Sequence, residues 1–535
     1  MRLFITSLVV AGLALTGTAQ ASYSVKVEDR TLIIKGDRAS DRLALRASVA
    51  APDTLAVDVG DNGSANFEVA LNRFDRIRVS ADRGDDLVRI DESANELIEG
   101  IPTTLAGQRG RDTLLGGAGS ETLTGGRGAD LVDGNGGEDV GILGAGRDRF
   151  VWDPGDASDV VEGGLDRDTL TFNGSNADEA FDVSANGPRV RFFRNIGDIT
   201  MDLRGVDRVD VAALDGADTL TLGDLSGTDL HAVTGDLAAA PGGTTADGQP
   251  DRAIVTGTNG DDAIVATGAA GSVSVTGLSS TLRLTNSNPV QDTLTVNSLA
   301  GSDDVSAAGL AADAVNLTAD GGLGNDEVLG SAGADVLRGS QGDDSLDGNG
   351  GGDAASLGTG DDLFTWDPGD GSDAVEGEAG RDAMAFNGAN VDETFDVSAN
   401  GGRVLFVRNI ANITMDLDGI ERVDTRALGG ADTVTVRDLS GTDLRQVDTD
   451  LSGELGSSAG DGQIDQLIVN GTNGNDAIEV AGADGTVDVT GLAASARLTN
   501  AEAANDRLTV NGLGGTDTID TSGLAPDTIG VTFNQ

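Results

Sequence analysis

From Gly107 to Asp148 an acidic residue recurs every nine positions behind a glycine-rich stretch, and the same beat returns from Gly321 to Asp362. The acids are Asp112, Glu121, Asp130, Asp139 and Asp148 in the first block, and Asp326, Asp335, Asp344, Asp353 and Asp362 in the second. Each nonapeptide reads approximately Gly-Gly-x-Gly-x-Asp-x-apolar-x. After the insertions Trp152-Asp153 and Trp366-Asp367 the beat resumes with Asp159 and Asp168, and with Asp373 and Asp382, giving seven acids per block. A strict short period makes each repeat one structural unit that buries its apolar face only against neighbouring copies.

Six residues of glycine-rich turn followed by about three of strand make half a coil. Two nonapeptides then close one turn of the chain, and successive turns stack as parallel strands about 4.8 Å apart. Asp112, Asp130 and Asp148 fall in one row, Glu121 and Asp139 in the other. Carboxylates at that spacing repel each other unless a cation lies between them, and an ion about 2.4 Å from each oxygen suits calcium. Glycine allows the positive φ angles that turn backbone carbonyls toward such an ion. Magnesium demands a tighter octahedron, and zinc prefers nitrogen or sulfur, which one histidine and no cysteine cannot supply. The expected ligands are the fourteen acids already named. The apolar eighth positions, Leu114, Leu123, Val132 and Phe150 among them, are expected to face a narrow core. Gly141 and Ala355 interrupt that rule in one register, each just before a repeat carrying Phe150 or Phe364, and are expected to make room for the ring.

These residues resemble the RTX, or haemolysin-type calcium-binding, repeat; "GGRGADLVD" from Gly125 matches at every defining position. The resemblance is specific over 107–151 and 321–365 and extends more weakly to about 171 and 385. It implies a parallel β-roll with calcium between successive turns, folding where calcium is plentiful. Family members often leave the cell through a type I channel with a C-terminal signal, whereas this chain opens on an N-terminal one, so the route does not carry over.

A second period is much longer. "FVWDPGDASDVVEG" at Phe150 returns as "FTWDPGDGSDAVEG" at Phe364, and "FDVSANG" at Phe181 returns at Phe395, both 214 residues on. The expected organisation is a signal peptide over 1–21, a partial β-rich unit over 22–106, and two copies over 107–320 and 321–534. Their calcium blocks cover 107–171 and 321–385. Arg2, the apolar run Leu3–Leu15 and Ala19-Gln20-Ala21 carry the signal-peptide reading. No other apolar stretch approaches the roughly 20 residues of a spanning helix. With 35 basic and 89 acidic side chains the net charge is −54, which excludes nucleic acid and anionic membrane as partners and calls for counterions. Without cysteine there are no disulfides and no lipid-bearing cysteine.

Other motifs weigh less. Gly-x-Asp turns at Asp86, Asp218, Asp262, Asp303, Asp432, Asp476 and Asp517 lack a partner eighteen residues away and read as isolated turns. Trp152 and Trp366 read as packing residues that end each block rather than sugar platforms, His231 as a solvated side chain, and Thr219-Thr221, Thr293-Thr295 and Thr433-Thr435 as outward strand positions. "GSSAG" at Gly456 spells a hydrolase elbow in loop-like surroundings, and Asp448 opens an EF-hand-like loop that has Ala459 at its twelfth position. The expectation is an all-β, parallel β-roll or solenoid that is exported to the cell surface, medium or periplasm. It would bind calcium without catalysis, as a structural, adhesive or surface-matrix module that meets matrix components or its own copies. The alternatives are an enzyme or toxin-like effector with a site between the blocks, tested on residues 172–320, and a self-assembling surface-layer protein.

Overall fold

Alternation of apolar and polar residues over short segments gives strands with one buried face. The computed structural model describes residues 22–51, 53–93 and 98–534, and among them the regular elements are strands of three to eight residues and three short 3₁₀ turns. The signal-peptide segment lies outside the described residues. Two compact units divide the chain, Met1–Ile254 with Ser279–Ser287, and Val255–Leu278 with Asn288–Gln535.

In the first unit Thr103–Arg109, Glu121–Arg127, Val140–Ala145 and Val160–Leu165 pair in parallel in one sheet. Thr113–Leu115, Leu131–Asp133, Arg149–Trp152 and Thr169–Asn173 do the same in the other. Leu114, Val132 and Phe150 stand in register eighteen residues apart, so two nonapeptides do make one turn of a roll. The second unit repeats the scheme from Asn316–Leu323 to Ala374–Gly380 and from Glu327–Leu329 to Ala383–Asn387.

The all-β parallel roll expected from the repeats is present, and antiparallel strands are added to it. In the second unit Thr394–Asn400, Arg403–Arg408 and Ile413–Asp418 form an antiparallel meander within one sheet. Its last strand pairs with Ala374–Gly380 and its first with Thr433–Val436, so two extra strands are spliced into the stack. Ala477–Ala483, Thr486–Thr490 and Ser495–Thr499 form a second meander in the opposite sheet. Two sheets packed face to face stay in step only if both gain strands, and the second meander restores the balance upset by the first.

Leu114, Leu123, Val132 and Phe150 are completely buried between the sheets. Trp152 lies flat on Phe172 with ring centroids 4.0 Å apart, and its Nε1 donates to the Ala157 carbonyl at 2.8 Å. Trp366 and Phe386 repeat the stack. Both indoles are buried, so neither offers a face to a sugar. At Gly141 an added Cβ would lie 2.6 Å from Phe150 Cε2, so the missing side chain makes room for the ring. Gly141→Leu is expected to destabilise the first unit by about 1–3 kcal/mol through overpacking. Gly141→Ala, which copies buried Ala355 of the second unit, is expected to cost less. Denaturant unfolding in saturating calcium measures both, and an unchanged midpoint for the leucine variant contradicts the packing account.

Candidate metal centre

Stacked turns bring every sequence-predicted acid into a row. The backbone N–H of Asp112 donates to Oδ1 of Asp130 at 2.8 Å, that of Asp130 to Asp148 at 2.7 Å, and that of Asp148 to Asp168 at 3.0 Å. On the opposite side Glu121 donates to Asp139 at 2.7 Å and Asp139 to Asp159 at 2.8 Å. The second block is built alike: Asp326, Asp344, Asp362 and Asp382 form one row, and Asp335, Asp353 and Asp373 the other. The ladder is thus a chain of charge-assisted bonds, each carboxylate holding the turn beneath it.

One oxygen of each carboxylate is used in this way; the other is the chemically informative one. In eleven of the fourteen acids, namely Asp112, Asp130, Asp139, Asp148, Asp168, Asp326, Asp344, Asp353, Asp362, Asp373 and Asp382, Oδ2 is buried and no protein donor reaches it. These residues are at most 3% exposed. Two acids at the start of their rows differ. Glu121 accepts the Gly117 N–H at 2.7 Å through Oε2, and Asp335 takes both the N–H and the hydroxyl of Ser331.

Burial raises the affinity of these groups for protons, and neighbouring acids of the row add to it at several positions. Asp139 is pushed up to about 9, Asp159 and Asp353 to about 8, and Asp130, Asp168 and Asp382 to about 7. Asp112, Asp148, Asp326 and Asp362 are raised as well, with burial again the main cause. Buried carboxylates of this kind need a positive partner to stay ionised near neutral pH.

Backbone carbonyls stand beside these oxygens. Gly126 and Gly128 have φ of 115° and 148°, and a Cβ on Gly128 would collide with the carbonyl oxygen of Gly110 one turn away. A Cβ on Gly125 would lie 2.6 Å from both Asp130 Oδ2 and the Leu143 carbonyl oxygen. Among the described residues no three acid, histidine or cysteine side chains converge as a metal cluster. An ion held here therefore draws largely on carbonyls, with carboxylates from adjacent turns. An all-oxygen, carbonyl-rich donor set fits calcium.

A family model described as the RTX calcium-binding nonapeptide repeat (4 copies) matches residues 103–132, 115–150 and 320–355. These two blocks are RTX repeats. No curated protein matches the chain. The RTX repeats bind calcium and form β-rolls, in agreement with the parallel stacks observed here. No helix among the described residues is long and apolar enough to cross a membrane.

The rows run beyond the RTX blocks, which corrects the reading of several turns as isolated. Asp41 donates its N–H to Asp86 at 2.8 Å and Asp86 to Asp112 at 2.9 Å. Asp262 donates to Asp303 and Asp303 to Asp326, both at 2.8 Å, while Asp218 and Asp432 accept from Glu179 and Glu393. These partners stand 23 to 45 residues apart rather than eighteen, because longer rungs and meanders intervene. Glu179 and Glu393 also carry a device that the period could not reveal: Arg408, from the meander of 394–418, and Arg194, from the matching first-unit meander of Ala180–Asn186, Arg189–Arg194 and Ile199–Arg204, form buried ion pairs with them.

The raised pKa values set a pH dependence. Each carboxyl holds its proton more tightly folded than unfolded, so metal-free stability is greatest below the ordinary value of 3.8 and is lost as pH rises through values reaching about 9. The melting temperature of metal-stripped protein is therefore expected to fall from about pH 5 to about pH 9, while calcium affinity rises over the same interval as the ion displaces protons. A metal-free melting temperature that climbs with pH contradicts this assignment.

Proposed function

We propose that the protein is an exported, non-enzymatic calcium-binding solenoid that orders on meeting calcium and serves as a structural, adhesive or surface-matrix module. The observation that carries the reading is the file of buried carboxylate oxygens with no protein donor, beside carbonyls stacked on the same turns. Calcium would bind between successive turns of each row, held chiefly by the eleven acids with such an oxygen. Asp159 would complete its row, and Glu121 and Asp335 would serve as weaker row ends.

The net charge of −54 fits the same reading. Without cations the chain repels itself, and sites of the extracellular type fill only near about 0.1–1 mM calcium. The chain would stay loose at low calcium inside the cell and gain folding free energy from the metal outside. The N-terminal leader reading supports export, and the two 214-residue copies would extend one calcium-stiffened design.

Calcium titration of the full mature chain by circular dichroism tests the proposal. At neutral pH, where the metal-free fold is already weakened, the β-sheet signal is expected to drop after metal removal and to be regained cooperatively in the submillimolar to millimolar range. Asp130→Ala, which takes a ligand from the ion sites on both sides of its turn, is expected to lower the number of bound ions by about two. A chain that stays equally ordered after exhaustive chelation, with no calcium retained by elemental analysis, overturns the proposal.

A further inference from the structure

We propose that four rungs outside the RTX blocks, those of Asp86, Asp218, Asp303 and Asp432, are also calcium sites. The inference rests on the reading of the RTX rows as calcium sites and extends it to segments that the family model does not match.

At ten of the fourteen acids of the RTX blocks the backbone takes positive φ both four and two residues before the acid. Gly126 (115°) and Gly128 (148°) precede Asp130, and Ser340 (81°) and Gly342 (132°) precede Asp344. The same pair of angles precedes the four new acids: Asp82 (81°) and Gly84 (117°), Leu214 (73°) and Gly216 (138°), Leu299 (79°) and Gly301 (142°), Leu428 (67°) and Gly430 (144°). Leucine is disfavoured in that region, yet three of the four turns hold it there. A Cβ on Gly110 would strike the Gly84 carbonyl oxygen, and one on Gly324 the Gly301 carbonyl oxygen, so the carbonyl stacking of the blocks reaches these rungs too.

The decisive atom is again Oδ2. Asp86, Asp218, Asp303 and Asp432 are 1–3% exposed, and in each Oδ2 is buried without a protein donor. Burial is not enough to produce this state, because the buried row acids Glu179 and Glu393 avoid it, accepting the Ser175 and Ala389 N–H groups through Oε2, and the half-buried Asp262 and Asp476 show the same closed turn. Asp262 accepts the Thr258 N–H at 2.6 Å through Oδ2, and Asp476 accepts the Thr472 N–H at 2.7 Å. In those turns the threonine hydroxyl accepts the N–H of Gly260 at 3.1 Å or Gly474 at 2.9 Å, and the residue four before the acid does not adopt positive φ. A closed turn of this kind satisfies the carboxylate from within. The open turn at the four new rungs leaves an oxygen that a calcium ion, with carbonyls around it, would satisfy.

Equilibrium dialysis of the full chain with radioactive calcium tests the assignment, using three double variants. Asp86→Ala with Asp303→Ala, and Asp218→Ala with Asp432→Ala, are each expected to bind about two fewer ions per chain than wild type. Asp262→Ala with Asp476→Ala is expected to bind as many as wild type. If wild type binds calcium and all three variants match it, the four sites do not exist while the RTX reading stands; if wild type binds none, that reading itself fails. For any variant that does not fold, wild-type crystals soaked in terbium decide: anomalous peaks beside Asp86, Asp218, Asp303 and Asp432 support the assignment, and peaks confined to the RTX blocks overturn it.

Discussion

A carboxylate oxygen sealed from water and left without a donor is among the least stable arrangements a protein can hold. Here it recurs on turn after turn, in file, at Asp112, Asp130 and Asp148 and again at Asp326, Asp344 and Asp362. The parallel stacking, the glycine content and the narrow core all follow from accommodating it. Each turn must place one carboxylate oxygen on the N–H of its neighbour and leave the other facing carbonyls, and only a chain with little side-chain bulk in the turn can do so. The core then needs only one inward apolar residue per repeat, because the rows share the work of holding rungs together.

The fold meets its own excess of negative charge in three ways. Open turns present an oxygen to a cation. Closed turns, such as those at Asp262 and Asp476, satisfy the carboxylate with a backbone N–H. At Glu179 and Glu393 a meander delivers an arginine, and its guanidinium lies 5.1 Å from the ring of Trp152 or Trp366, tying a row to the aromatic cluster beside it. The meanders that hold Arg194 and Arg408 thus act both as spliced strands and as carriers of an internal positive charge. Regions outside the RTX blocks therefore have one source of order, the buried arginine, that the blocks lack.

Much of this was legible in the sequence. The nine-residue beat gives the two rows, the strand register and the burial of Leu114, Val132 and Phe150, because repetition removes ambiguity about which residues meet. Gly141 was readable against Phe150 for the same reason. The meanders were not legible: strands such as Thr394–Asn400 and Arg403–Arg408 alternate like any rung, and direction of pairing leaves little trace in composition. The row positions of Asp86, Asp218, Asp303 and Asp432 were hidden by uneven rung lengths, although a glycine two residues before each acid was visible. What separates open from closed turns lies four residues before the acid, where Thr258 and Thr472 close the loop and Leu214, Leu299 and Leu428 do not.

Hydrogen–deuterium exchange with mass spectrometry, on the full chain with calcium and after its removal, addresses the dependence of the rows on a cation most directly. The N–H groups of Asp112, Asp130, Asp148, Asp326, Asp344 and Asp362 are the ladder donors, so peptides covering 103–171 and 321–385 report on them. The account predicts strong protection of both segments with calcium and its loss without it. Equal protection in the two conditions at neutral pH would show that the rows stand without a metal ion and would contradict the account.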